Sequence, residues 1–195
     1  IRVARSPCEA IVPPALPIDW KLKVIGGHNR ENAALAAAAL RSVGLSESEI
    51  RDGIESFEGV EGRFQFVREV EGVKIINDNN ATTPAATLAA LSSVPLEKTV
   101  LILGGSDKGL DLRDLIEKAG KCKAVVLLDG TGTGRIAKDL PHAILARTLE
   151  DAVNSARGKA AAGDVILFSP AFASFGMFKN EYDRNDQLLR IVHTL

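Results

Sequence analysis

A chain of 195 residues has room for one generous domain, or for one domain and part of another. With 46% hydrophobic and 25% charged residues and a mean hydropathy of +0.07, it reads as a soluble globular chain able to bury a substantial core. A formal net charge of −1 argues against nucleic acid or an anionic membrane as partner, and no apolar run reaches spanning length.

The two cysteines, Cys8 and Cys122, lie far apart without CxxC spacing, as suits reduced, buried or half-buried thiols in a cytoplasmic protein. No signal peptide is visible, and a first residue of Ile rather than Met reads as a piece of a longer protein.

Residues 1–27 are rich in Pro and Gly and predict irregular chain. HNRENAALAAAALRSVG (28–44) predicts a helix of strong helix formers stopped by Gly44. SESEIRDGIESF (46–57) predicts a second, with Ser46 and Glu49 as a capping box and Ile50, Ile54 and Phe57 on one face. The Gly-rich EGVEGRF (58–64) marks a domain boundary, placed so that residues 1–62 and 63–195 form separate domains.

FQFVREVEGVKII predicts two strands around a tight Glu71-Gly72 turn, an antiparallel edge hairpin. TVLIL (99–103), AVVLL (124–128), AILA (143–146) and DVILF (164–168) are continuously apolar, as strands covered on both faces should be. Helical spacing recurs between and after them: Leu112, Leu115, Ile116, Ala119; Leu149, Ala152, Val153, Ala156; and Leu188, Ile191, Val192, Leu195. This alternation predicts an α/β fold: a Rossmann-like, doubly wound, mostly parallel sheet with an antiparallel edge hairpin, preceded by a helical remnant of a second domain.

Such sheets bind ligands beyond the carboxyl ends of their strands, where loops and helix N-termini converge. In INDNNATTP (76–84), Thr82 or Thr83 can cap the helix opened by Pro84. Asp78 fits either an ordinary strand-end carboxylate or a ligand for ribose hydroxyls or an Mg²⁺–phosphate. LGGSDKG (103–109) offers close backbone approach and the Lys108 cation to a carboxylate or phosphate; a Gly turn with a solvated lysine is the plainer reading.

DGTGTGR (129–135) has GxGxG spacing, not GxGxxG, and predicts only a turn. SPAFASFGMFKNEYDR (169–184) is long for a connection, with Ser174 and nearby N–H groups as its polar candidates and its aromatics as packing. Arg63, at the boundary, is a surface charge or a phosphate contact made on domain closure. His28 opens its helix as a structural or cleft-lining residue. Walker A, Ser/His/Asp and metal-ligand patterns are absent from the sequence.

GGHNRENAALAAAAL, GRF, INDNNATTP, LGGSDKG and SPAFASFGMFKNEYDR together resemble the C-terminal portion of the Mur ligases, ATP-dependent enzymes that build the peptide stem of peptidoglycan. The last stretch is most similar to the branch that adds D-glutamate to UDP-N-acetylmuramoyl-L-alanine. The resemblance implies an ATPase-domain remnant over 1–62 and a glutamate ligase domain over 63–195. It also implies ATP and Mg²⁺ as cofactors, an acyl-phosphate intermediate attacked by the amine, and a monomer.

By the same resemblance Asn32 lies near adenine, Arg63 and Asp78 face the nucleotide as catalytic residues, and Thr82, Lys108, Ser174 and Phe175 hold D-glutamate. Asn79-Asn80 stands where many relatives carry Ser-Lys or Thr-Thr, and Asn185 where Gly is usual. The phosphate-binding loop is missing, so the chain by itself is expected to be inactive. Two alternatives stay open: another amino-acid-adding member such as a folylpolyglutamate synthase, and a non-catalytic Rossmann-like binding module.

Overall fold

The structure, a computed structural model, describes residues 12–195; the expectation for Cys8 falls outside the described residues. The chain forms two compact units, one running to Lys23 and again over His28–Glu58, the other comprising Val24–Gly27 and Gly59–Leu195.

In the first unit, irregular chain leads into α1 (Gly27–Ser42) and α2 (Glu47–Ser56). Ser46 and Glu49 form the expected capping box, each side chain bonded to the other's backbone N–H. Leu16, Trp20, Ala34, Ala37 and Ile50 make a small core. Arg30 fastens the irregular segment to α1, donating to the carbonyls of Trp20 (3.1 Å), Leu16 (3.2 Å) and Pro17 (2.5 Å).

The second unit opens with β1 (Gln65–Val70) and β2 (Val73–Asn77), an antiparallel hairpin. Its turn residues Glu71 and Gly72 both have positive φ, 52° and 79°, matching the right-handed twist of the strands. Then come α3 (Pro84–Leu91), β3 (Thr99–Gly104), α4 (Arg113–Ala119), β4 (Ala124–Leu128), α5 (Thr133–Ile136), β5 (Ile144–Ala146), α6 (Leu149–Lys159), β6 (Val165–Phe168) and α7 (Glu181–His193). The sheet order is β1-β2-β6-β3-β4-β5, parallel throughout except for the β1–β2 pair. The expected mixed α/β sheet with its antiparallel edge is what forms.

Alternate strand residues feed opposite layers, because successive side chains of a strand point to opposite faces. Leu101, Leu103, Val125, Leu127 and Leu167 pack with α3, α4 and α5. Val100, Ile102, Val126, Leu128 and Ile166 pack with α6 and α7. Both faces are covered, which is why these strands are apolar without alternation.

Two expectations are corrected. DGTGTGR is more than a turn: its second half starts α5, and Thr133 Oγ1 bonds back to the Leu128 carbonyl. The irregular connection after β6 ends at Asn180, whose side chain accepts the Asp183 N–H (2.9 Å) and caps α7, so residues 181–184 are helical. Cys122 is free and half-buried, and burial pushes its thiol up to about 11. Among the described residues no helix is long and apolar enough to cross a membrane.

Candidate functional site

The sheet order places the loops after β2, β6 and β3 side by side at one end. Since β1 runs antiparallel to β2, its first residue Gln65 sits opposite Asn77, and the chain entering β1 arrives at that same end. Arg63 therefore joins loops that are far from it in sequence.

Backbone bonds sew these loops together. The Asp78 N–H donates to the Phe168 carbonyl (2.8 Å) and the Ala171 N–H to that of Ala81 (2.8 Å). Gly104 N–H donates to Pro170 O (3.0 Å), while Ser106 and Ala173 exchange two bonds, 2.8 and 3.1 Å, as an isolated antiparallel bridge. Gly105 permits that bridge: its φ is 134°, and a Cβ there would lie 2.4 Å from the Ala173 carbonyl oxygen.

A hollow of about 390 Å³ opens where the loops meet. Arg63, Thr82, Lys108, Ser174 and Phe175 line it, together with Asn80, Glu181 and Tyr182. Lys108 Nζ donates to Thr82 Oγ1 at 3.0 Å and forms no ion pair among the described residues. Its neighbour Asp107 is engaged elsewhere: Arg135 donates to it at 2.6 Å and holds its carboxyl below the usual range. The α5 segment thus supplies the partner of the carboxylate that precedes Lys108 in the chain. Arg63 is exposed; its backbone N–H donates to the Val60 carbonyl (3.1 Å), and its guanidinium makes no hydrogen bond or ion pair among the described residues. Ser174 is buried, 3% exposed, yet faces the hollow. Phe175 is 62% exposed, so its ring is available to cover a ligand rather than to fill the core.

Thr83, not Thr82, caps α3, accepting the Ala86 N–H at 3.4 Å, which leaves Thr82 to the hollow. Asp78 does not line it. Its carboxylate is turned inward, accepting from the Phe64 N–H (3.1 Å) and the Ser169 hydroxyl (2.8 Å), and burial raises it to about 6 despite those bonds and the Arg63 charge. Phe64 takes a positive φ of 46°, so Asp78 clamps a strained turn beside Arg63. Asn32 lies exposed on α1 of the first unit, with its side chain 3.5 Å from Asn29 Oδ1. His28, on the same helix, is half-buried, and burial lowers its imidazole against the pull of Glu31.

Beneath the hollow runs a polar network that the sequence did not announce. Arg184 is fully buried and makes no ion pair among the described residues, although the Glu181 charge acts on it. Its guanidinium donates to Asn79 Oδ1 (2.7 Å), Asn79 O (2.8 Å) and Phe172 O (3.3 Å) and lies 5.8 Å from the Phe168 ring centre. Burial brings it down to about 10. Asn79 Nδ2 donates to the Glu181 carbonyl (2.9 Å), and Asn185 links Asn77 (2.8 Å) to Glu61 (2.6 Å). The positions that depart from the resembled pattern, Asn79 and Asn185, therefore sit in one network joining the β2–α3 loop to α7. Glu181 and Tyr182 were hidden from sequence reasoning by being read as loop.

A larger cavity, about 530 Å³, opens at the amino ends of β4 and β5 beside Cys122 and His142. It lies at the end of the sheet opposite the carboxyl ends of the strands, so size does not select it. Among the described residues no group of three or more His, Cys, Asp or Glu side chains could hold a metal ion.

An open, mostly parallel α/β unit with a polar hollow beyond the carboxyl ends of adjacent strands defines a ligand-binding unit of the doubly wound class. Residues 62–172 match the family described as Mur ligase, glutamate ligase domain, and the chain belongs to that family. It is 45% identical over 177 residues to UDP-N-acetylmuramoylalanine--D-glutamate ligase of Roseiflexus sp. (strain RS-1), covering 87% of this chain and 38% of that relative. It is 41% identical to the protein of that name from Pseudomonas fluorescens (strain Pf-5), covering 90% and 40%. The chain thus spans about two fifths of the length of these relatives.

Two solved structures share the fold. UDP-N-acetylmuramate-alanine ligase MurC from Thermotoga maritima has a TM-score of 0.65 at 21% identity, with 89% of this chain and 39% of that one covered. Folylpolyglutamate synthase from Mycobacterium tuberculosis, complexed with ADP, has 0.67 at 16%, with 89% and 42% covered.

Proposed function

We propose that this chain is the C-terminal part of an ATP-dependent ligase that joins D-glutamate to UDP-N-acetylmuramoyl-L-alanine, and that the hollow of the second unit receives the D-glutamate. The observation that carries this reading is the convergence of Lys108, Thr82 and Ser174 on one hollow, with Arg63 among its lining residues. A small diacid needs cations, hydroxyls and N–H groups at fixed spacing, and charge-assisted bonds of this kind are the stronger ones. The names of the Roseiflexus and Pseudomonas relatives favour D-glutamate over the amino acids handled by other members.

ATP, with Mg²⁺, supplies the phosphoryl group that turns a carboxylate into an acyl phosphate. Toward that nucleotide this chain offers the guanidinium of Arg63 and the side chain of Asn32, with Asp78 fixing the turn that carries Arg63 through the Phe64 N–H. The residues of the hollow hold the diacid so that its amine faces the acyl carbon. Amide formation then releases phosphate and the amine's proton. In this reading residues 1–62 are the end of the ATP-binding domain, residues 63–195 form the glutamate ligase domain, the setting is cytoplasmic and the molecule is a monomer.

The test is the D-glutamate dependence of phosphate release in the parent-length enzyme bearing Lys108→Ala. We expect KM for D-glutamate to rise roughly 100-fold while KM for ATP stays within about two-fold. An unchanged KM for D-glutamate would remove the hollow from the reaction. The 195-residue chain alone is expected to release no phosphate.

A further inference from the structure

Arg63 stands between two residues of positive φ, Gly62 at 73° and Phe64 at 46°. A backbone of that kind persists only where its surroundings over-determine it. Phe64 is buried, and its N–H donates to Asp78 Oδ1 (3.1 Å). Before Arg63, the Gly62 N–H donates to Gln65 Oε1 (3.1 Å), and the Gly62 carbonyl accepts the Asn80 N–H (2.9 Å). Asn80 Nδ2 also donates to the Glu61 carbonyl (3.3 Å).

Asn185 closes this clasp from α7. Its Oδ1 accepts from the buried Asn77 (2.8 Å), and its Nδ2 donates to the exposed Glu61 carboxylate (2.6 Å). Gly62 lies so close to the two amides that a Cβ there would be 3.1 Å from Asn185 Oδ1 and 3.2 Å from Asn80 Nδ2. All of these residues belong to the second unit.

The plainer account is that Asn185 satisfies Asn77, a buried amide that would be costly unpaired. That explains its acceptor end only, and Asn77 Nδ2 also has Gln65 Oε1 at 3.3 Å. The donor end goes to a surface carboxylate that water would satisfy as well. Neither group needs that bond in order to be buried. Its effect is to fix the chain leading into Arg63.

We infer that Asn185 is a positioning residue for Arg63: with Glu61 and Asn80 it holds residues 61–64 so that the guanidinium is presented at the edge of the hollow. This rests on the reading that Arg63 serves the nucleotide. A side chain on a fixed backbone loses less freedom on binding, and a misplaced group loses rate.

The experiment has two arms. In the 195-residue chain, Asn185→Ala should speed hydrogen exchange at the Gly62 and Asn80 amides about five-fold and leave Gly104 and Ala171 unchanged. In the parent-length enzyme it should lower kcat/KM for ATP about five-fold, with KM for D-glutamate held within about two-fold. Glu61 is exposed, so its variants keep the fold. Glu61→Ala should reproduce both effects, and Glu61→Gln, which keeps an acceptor oxygen, should show little of either. In an Arg63→Ala background, Asn185→Ala should have no further effect on kcat/KM for ATP. An effect that persists without Arg63, or that falls equally on D-glutamate, overturns the inference and leaves Asn185 a structural amide. Unchanged exchange at Gly62 and Asn80 overturns it too, as does an unchanged kcat/KM for ATP where Arg63→Ala lowers it. If Arg63→Ala itself leaves kcat/KM for ATP unchanged, the nucleotide reading of Arg63 fails first and takes the inference with it.

Discussion

At the scale of single residues, Asp78 shows what the sequence revealed and what it withheld. Its place at a strand end was legible, because it closely follows the apolar Ile75-Ile76 pair of a predicted strand; its inward orientation was not, because the Phe64 N–H and Ser169 hydroxyl come from distant segments. Its carboxyl rises from 3.8 to about 6 on folding, chiefly through desolvation. Below 3.8 both folded and unfolded states are protonated and the contribution is fully present; it is lost as pH rises through 6, where the folded state alone bears a buried charge. Asp78→Asn should therefore stabilise the chain by roughly 2–3 kcal/mol at pH 7.5 and by little at pH 3.5. Urea midpoints of both proteins across that range check it, the difference cancelling Asp111, Asp164 and Asp183, whose carboxyls are lowered and act in the opposite direction. A constant difference would refute the assignment. Arg184 makes the complementary case: a buried cation is costly unless its donors are met, and Asn79 meets two of them. Asn79→Ala should cost roughly 2–4 kcal/mol by urea denaturation, a penalty invisible in a sequence where Asn79 is one polar residue among several.

Elements were legible where one physical signal dominated. Continuous apolar runs gave β3, β4 and β6, helical spacing gave α6 and α7, and Ser46 with Glu49 marked the start of α2. The short α5 had no such signal: four residues cannot display a helical period, and Gly132 lies there because the Phe172 ring leaves a Cβ no room, only 2.3 Å away. Its contribution is indirect, through Arg135 fixing Asp107 in the loop that carries Lys108. Arg135→Ala should therefore weaken D-glutamate binding roughly three-fold while leaving the urea midpoint nearly unchanged, since the ion pair is partly exposed. The junction of loops is more demanding. Gly105→Ala forces a Cβ against the Ala173 carbonyl in a backbone conformation that L side chains rarely adopt. It should destabilise the chain by roughly 2–4 kcal/mol and abolish ligand-induced shifts at Ser174, because the Ser106–Ala173 bridge ties the two loops directly beside Ser174. Retention of those shifts would separate the bridge from the site.

For the whole molecule, the change from Ala-rich helical pattern to alternating strands and helices near residues 58–64 was visible because the hydrophobic period itself changes there. How much each unit buries was not visible. Among the described residues the first has a core of five buried residues; the second has two extensive cores, one on each face of the sheet. Hydrophobic stabilisation scales with buried apolar area, so the units should unfold separately, the first at lower urea. The chain carries its own reporters. Its single tryptophan, Trp20, is buried in the first unit at 6% exposure, and its single tyrosine, Tyr182, belongs to the second. We expect the Trp20 fluorescence transition to precede the main loss of far-ultraviolet circular dichroism, which the larger unit dominates, and D-glutamate at saturating concentration to move only the later transition. Coincident midpoints by the two probes, both moved by D-glutamate, would mean that the units fold as one cooperative body.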